Sequence, residues 1–302
     1  MSSIAAAAAA AAAAPLSLAK AIQVALLQFH AGSDKAKNFE KVSQIAKIAL
    51  EHEPRPELLV LPECFQSPYA VDQFKHYAEP IPNGPTTEFL SKLAKDNNVC
   101  IVGGSFPESE GDKIYNTSLT FNNKGEIVGK HRKVHLFDID IPNGIKFQES
   151  ISLSAGNKAT VFDLPLGRFG VGICYDVRFP ELAMTAARKG AGVMVYPGAF
   201  NTVTGPKFWT KFAVARAIDN QMWVIMCSPA RQTDGGYMAY GHSLIVDPNG
   251  NVVVEIGEGE GVAYAEIGVE KIKEARESIP ITVQRRFDVY DDVAESCKCS
   301  AV

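Results

Sequence analysis

With 302 residues and 46% hydrophobic content, the chain can bury a substantial core as one large domain or two small ones, so size excludes no enzyme class. A formal charge of −4 gives no global field to draw in nucleic acid or an anionic membrane, and a small-molecule partner is the better expectation. The six cysteines, Cys64, Cys100, Cys174, Cys227, Cys297 and Cys299, lack the regular spacing of a disulfide framework, which points to a reducing, cytoplasmic setting.

In chain order, Ala5 to Ala14 is an unbroken alanine run closed by Pro15. It is too short and too weakly apolar to span a bilayer, and no cation precedes it as a secretory signal requires. A mitochondrial presequence is disfavoured as well, because Lys20 is the only basic residue before the first strand. Residues 1–20 are expected to be a disordered low-complexity tail, 21–290 one mixed α/β domain, and 291–302 a surface tail. The predicted elements begin with a strand from Ile22 to Phe29. A helix from Asn38 to Glu51 follows, then a buried strand from Leu58 to Leu61 that stops at Pro62 and leaves Glu63 just past its end. Thr86 to Asn97 reads as a helix and Val99 to Val102 as a strand. Ile114 to Phe121 and Ile127 to Lys133 flank the turn Asn122-Asn-Lys-Gly125 as a hairpin. Phe169 to Ile173 is a strand that delivers Cys174 to a helix from Pro180 to Lys189. Val193 to Tyr196, a Phe208 to Asp219 helix, Trp223 to Cys227 and a hairpin between Leu244 and Ile256 continue the mixture.

Cys174 sits at a strand-to-helix junction, where a turn exposes a side chain, aims backbone N–H groups at a developing oxyanion, and is expected to favour thiolate. An unselected cysteine in such a run is more often inert packing. A free thiol, with a pKa near ~8.5, needs a base or a cation beside it. None of the histidines (His30, His52, His76, His131, His135, His242) has an evident strand-end position with an orienting carboxylate. Lys130-His-Arg-Lys-Val-His135 suits phosphate contact in principle, but it lacks interleaved aromatics. Strand alternation sets His131, Lys133 and His135 on one face and Arg132 and Val134 on the other.

Four motifs, Leu61-Pro-Glu-Cys64, His131-Arg-Lys-Val-His135, Phe147-Gln-Glu-Ser150 and Gly172-Ile-Cys-Tyr-Asp-Val-Arg-Phe-Pro-Glu181, together resemble the nitrilase superfamily in content and order. Val195-Tyr-Pro-Gly-Ala-Phe-Asn201, Ser228-Pro-Ala-Arg231 and Tyr240-Gly-His-Ser243 are similar to its omega-amidase branch. The resemblance implies a four-layer α-β-β-α sandwich, usually dimerised, and a Glu-Lys-Cys triad at Glu63, Lys133 and Cys174 with a supporting Glu149. It also implies an oxyanion donated to by the Tyr175 N–H, and hydrolysis of short dicarboxylic monoamides such as 2-oxoglutaramate through a thioester. No metal or organic cofactor is then required. For the substrate's distal carboxylate the candidates are Arg178 and Arg231, with Tyr69, Tyr115 and Phe200 lining the site. Arg178 has a plainer alternative, the bracing of Asp176 or Glu181. Two rival readings are an amidase for deaminated glutathione and a non-catalytic interaction protein on the same scaffold. Cys64 is read as packing, and Cys297 and Cys299 alone are too few ligands for zinc.

Overall fold

Strand β1 (Ile22–Gln28) is buried along its whole length. Successive side chains point to opposite faces, so Val24 and Leu26 enter one apolar cluster while Ala25 and Leu27 enter another. Burial on both faces requires a covering layer on each side. The computed structural model, which describes residues 18–140, 146–232 and 235–290, supplies those layers.

In the first sheet β1 runs parallel to β2 (Leu58–Val60), and β2 runs parallel to β3 (Cys100–Val102). Beyond β3 the sheet turns antiparallel through β5 (Lys113–Phe121), which pairs with β4 (Phe106–Glu110) and β6 (Ile127–Arg132). A two-stranded ribbon, β7 (Asp138–Asp140) with β8 (Lys146–Gln148), projects beside it. The second sheet orders β9 (Thr160–Leu164), β10 (Gly167–Val171), β11 (Val193–Pro197), β12 (Trp223–Cys227), β13 (Leu244–Val246) and β14 (Val252–Glu255), with β10, β11 and β12 mutually parallel. The last strand, β15 (Gly261–Ile267), returns to the first sheet and pairs antiparallel with β1 from Ile22↔Ile267 to Gln28↔Gly261.

The faces of the two sheets that meet each other carry Val24, Val60, Val102, Phe169, Val195 and Ile225. Helices α1 (Lys35–Leu50) and α3 (Pro85–Asn97) cover the outside of the first sheet through Val42, Ala46, Leu90 and Ala94; α2 (Phe74–Tyr77) is a single turn between them. Helices α4 (Pro180–Arg188) and α5 (Gly205–Asn220) cover the second through Ala186, Trp209, Ala213 and Ala217. The result is the expected α-β-β-α sandwich. Helix α6 (Val269–Ser278) follows β15 and buries only Ile272 and Ala275, too sparse an apolar stripe to read from sequence.

Some boundaries differ from the sequence reading. Helix α1 begins at Lys35, because the Asp34 side chain caps it by accepting from the Lys37 N–H. Leu18, inside the expected tail and the first of the described residues, is buried and bridges to Gly167. The alanine run and residues 291–302, with Cys297 and Cys299, lie outside the described residues. Among the described residues no helix is long and apolar enough to cross a membrane.

Candidate active site

Four chain segments bring Glu63, Lys133, Glu149 and Cys174 to one point, two of them just past the parallel strands β2 and β10. The segment after β2 continues its pairing through Leu61 N–H to Val102 O before Pro62 ends it, and Glu63 follows. Gly104, at φ +56°, makes that close approach possible, since a Cβ there would lie 2.1 Å from the Pro62 carbonyl oxygen. Lys133 is one residue past β6, yet its backbone is fixed: its N–H donates to Asn116 O at 2.8 Å and its carbonyl accepts from Gly156 N–H at 2.8 Å. Glu149 opens a 3-10 turn after β8. Cys174 opens another after β10 with φ +47°, a left-handed conformation that side-chain-bearing residues rarely hold outside turns and functional sites.

The Lys133 side chain is wholly buried between two carboxylates, with Nζ 3.1 Å from Glu63 Oε1 and 2.8 Å from Glu149 Oε1. Glu63 also accepts from Asn116 Nδ2 and from the Ala199 N–H, each at 2.9 Å. Glu149 accepts from the Tyr69 hydroxyl and the Phe137 N–H, each at 2.7 Å. Both acids are thus held by fixed donors.

These surroundings set the proton affinities. Burial opposes charge on Lys133, but Glu149 and Glu63 together hold its pKa well above the usual lysine value. Burial also pushes Glu63 up; Lys133 pulls the other way, Glu149 adds to the rise, and a bond from the Cys174 thiol favours the carboxylate. Burial pushes the Cys174 thiol well up, aided by Glu63 and opposed by Lys133 and the Ala199 N–H. Desolvation thus opposes the turn's pull toward thiolate and favours the thiol form beside Glu63. Tyr175 lies in the first turn after Cys174, where its N–H has no intrahelical partner.

Cys174 also lines a cavity with Phe137, Tyr175, Arg178, Phe200 and Thr204. Arg178 braces neither Asp176 nor Glu181. Its guanidinium lies 4.8 Å from the Phe208 ring centre, 4.9 Å from Phe212 and 5.4 Å from Phe200, and its Nε has no hydrogen-bond partner. Burial lowers its pKa, with Tyr175 and Cys174 opposing, and no carboxylate among the described residues pairs with it. Phe200 stands edge-on to Trp209, whose Nε1 donates to the His242 carbonyl in the core.

Other expected residues are placed differently. Arg231 donates to the carbonyls of Ala239 and Tyr240 and faces Glu258 at 3.9 Å, away from the Cys174 cavity. Tyr115 lies under the Arg132 guanidinium, 3.8 Å from its ring centre, and also lies outside that cavity. Tyr69 reaches the site through Glu149 and lines a neighbouring cavity beside Glu63 and Tyr237. Cys64 packs with Phe74 and Leu153.

The sequence reading missed several residues here. Asn116 is a polar side chain in a buried strand, and the need of such a group for a partner is the signal that could have found it. The histidine reading is corrected as well: Asp176 accepts from His131 Nε2 at 3.0 Å and from His135 Nδ1 at 2.8 Å, so two histidines do have an orienting carboxylate. Neither lines the cavity at Cys174.

Comparison with known proteins adds the following. The family model described as carbon-nitrogen hydrolase matches residues 23–277. The omega-amidase NIT3 of Saccharomyces cerevisiae is 54% identical over 91% of this chain and 97% of its own length. The omega-amidase NIT2 of Mus musculus is 44% identical over 89% and 96%. The crystal structure of S. cerevisiae Nit3, described as a member of branch 10 of the nitrilase superfamily, superposes with a TM-score of 0.83 at 48% identity, covering 89% of this chain and 98% of that one.

Proposed function

This chain belongs to the carbon–nitrogen hydrolase family of the nitrilase superfamily, and on that premise we propose that it is an omega-amidase acting on short dicarboxylic monoamides. The observation that carries the substrate class is Arg178, a half-buried cation without a carboxylate partner among the described residues, on the wall of the cavity that holds Cys174. Guanidinium recognition of a carboxylate suits that position.

The chemistry follows from the proton affinities. Glu63 removes the thiol proton as Sγ of Cys174 attacks the amide carbon, which spares the site from holding a free thiolate. Lys133 and the Tyr175 N–H hold the tetrahedral oxyanion, a contribution of roughly 3 kcal/mol per well-aimed donor. As the C–N bond breaks, Glu63 returns its proton to the departing amine, and ammonia leaves a thioester on Cys174. Glu63 then takes a proton from water as it adds to the thioester carbonyl, and collapse expels the sulfur, which takes that proton from Glu63 and so restores both the thiol and the carboxylate. Glu149 keeps Lys133 charged and in place throughout.

The test is ammonia release from 2-oxoglutaramate or 2-oxosuccinamate against a neutral amide of equal length and against deaminated glutathione. Strong preference for the short charged amides supports the proposal, while preference for the peptide-like amide replaces it with the repair reaction. No release from any of them, by folded protein, would favour the non-catalytic scaffold. A homodimer is proposed from the family pattern, and light scattering that gave a monomer mass at working concentration would remove it.

A further inference from the structure

Asp176 lies two residues after Cys174, and its side chain is fully buried. Each of its oxygens accepts two hydrogen bonds: Oδ2 from the Ile173 N–H at 2.9 Å and His131 Nε2 at 3.0 Å, and Oδ1 from the His135 N–H at 2.9 Å and His135 Nδ1 at 2.8 Å. These donors lie on two segments far apart in sequence. Ile173 precedes Cys174, while His131 and His135 stand two residues to either side of Lys133. The far nitrogen of His131 is anchored in turn by Thr160 Oγ1 at 3.1 Å, and the His135 ring stacks on Phe179 at 3.5 Å.

We propose that Asp176 is a positioning residue: with His131 and His135 it clasps the Cys174 turn to the Lys133 segment and fixes the sulfur relative to the ammonium. A left-handed turn at Cys174 has no regular ladder of its own to hold it, and Lys133 lies just beyond the last residue of β6, so neither element alone sets their separation. One carboxylate holding four donors from both sides does. Such a group is costly to bury unless every lone pair is matched, and here each is. Because oxyanion stabilisation and near-attack geometry degrade with displacements of about 1 Å, the clasp is expected to matter for rate out of proportion to its distance from the substrate.

The inference uses the proposed roles of Cys174 and Lys133 and needs no assumption about the amide, so it is tested without one. Alkylation of Cys174 by iodoacetamide is followed in the full-length protein for the wild type, Asp176→Asn, Lys133→Met and the double variant, with folding checked by thermal melting. An asparagine presents an NH2 where two donors already point, so one side of the clasp opens. Asp176→Asn is expected to change the alkylation rate at least tenfold in the wild-type background and less than twofold in the Lys133→Met background, because its effect passes through that pair. Equal factors in both backgrounds, or an unchanged rate with a lowered melting temperature, would reduce Asp176 to a structural role. If Asp176→Asn does not fold, the same cycle with His135→Phe, which keeps the stack on Phe179 and the backbone bond to Asp176, reads the clasp with the same two outcomes. Alkylation coupling with no amide turnover would sink the omega-amidase reading and leave the clasp standing.

Discussion

Replacing Glu149 by glutamine keeps the shape of the site and removes one of the two charges that surround Lys133. In the native site Oε1 of Glu149 accepts from Lys133 Nζ at 2.8 Å and the Tyr69 hydroxyl at 2.7 Å, and Oε2 accepts from the Phe137 N–H at 2.7 Å. An amide has one oxygen for these three donors, so its NH2 must face at least one N–H or O–H. Lys133 keeps only Glu63, at 3.1 Å, as a countercharge. Removing one member of a buried ion pair costs about 3–5 kcal/mol of stability. If the ammonium then shifts from the oxyanion position, the loss is about 3 kcal/mol of transition-state stabilisation, or roughly 10²-fold in kcat. The pH dependence has a definite sign. Burial lowers the Lys133 pKa and Glu149 is foremost among the groups that raise it, so the variant deprotonates Lys133 at lower pH. The native contribution of this lysine to stability is present below its ordinary value and lost only at high pH. In Glu149→Gln that loss, and the alkaline limb of kcat, begin earlier. Urea unfolding and ammonia release across pH 6–10 read both effects. Lower stability with kcat within threefold of wild type and an unmoved alkaline limb would refute the role given to Glu149.

Arg178→Met is expected to lower kcat/KM for a monoamide bearing a distal carboxylate by about 10–10²-fold, the worth of a charge-assisted hydrogen bond, and to leave a neutral amide of the same length within about threefold. Arg231→Met, by contrast, is expected to leave the ratio between those two substrates unchanged, because its guanidinium serves backbone carbonyls outside the cavity. Glu108 gives a pH test remote from the site. Burial pushes its pKa up, but Arg132, Lys130 and Thr117 together hold it below the ordinary glutamate range, so its stabilising contribution is present above about pH 4.5 and fades as pH falls. Glu108→Gln should therefore be less stable than wild type by about 2 kcal/mol at neutral pH, with the difference shrinking below pH 4; a constant difference across that range would contradict the sign.

Sequence made Glu63 and Cys174 legible because each stands just past a strand whose apolar pattern is plain, as Glu63 follows Leu58 to Leu61, whereas Glu149 follows the polar β8 and was legible only through its motif. Alternation also set His131 and Lys133 on the buried face. What stayed hidden was long-range pairing. That Asp176 joins His131 and His135 depends on strands β9 and β10 bringing the Cys174 turn against β6, and no local spacing encodes that approach. The choice between Arg178 and Arg231 failed for the same reason: both are arginines in loops beside family-like motifs, and only the packing of Phe200, Phe208 and Phe212 around one of them distinguishes their surroundings. The desolvation that opposes thiolate at Cys174 was hidden too, because a turn is visible in sequence while the depth of its burial is not. Helix α6 and strand β4 went unread since their outward faces are polar and their buried faces are short.

The most direct test of the account is rapid acid quenching of the protein during turnover of a short dicarboxylic monoamide, followed by peptide mass mapping. The account predicts an acyl group on the peptide containing Cys174, its disappearance in Cys174→Ala, and loss of ammonia release with it. Ammonia release that persists in Cys174→Ala, or an acyl group mapped to another residue, would contradict it.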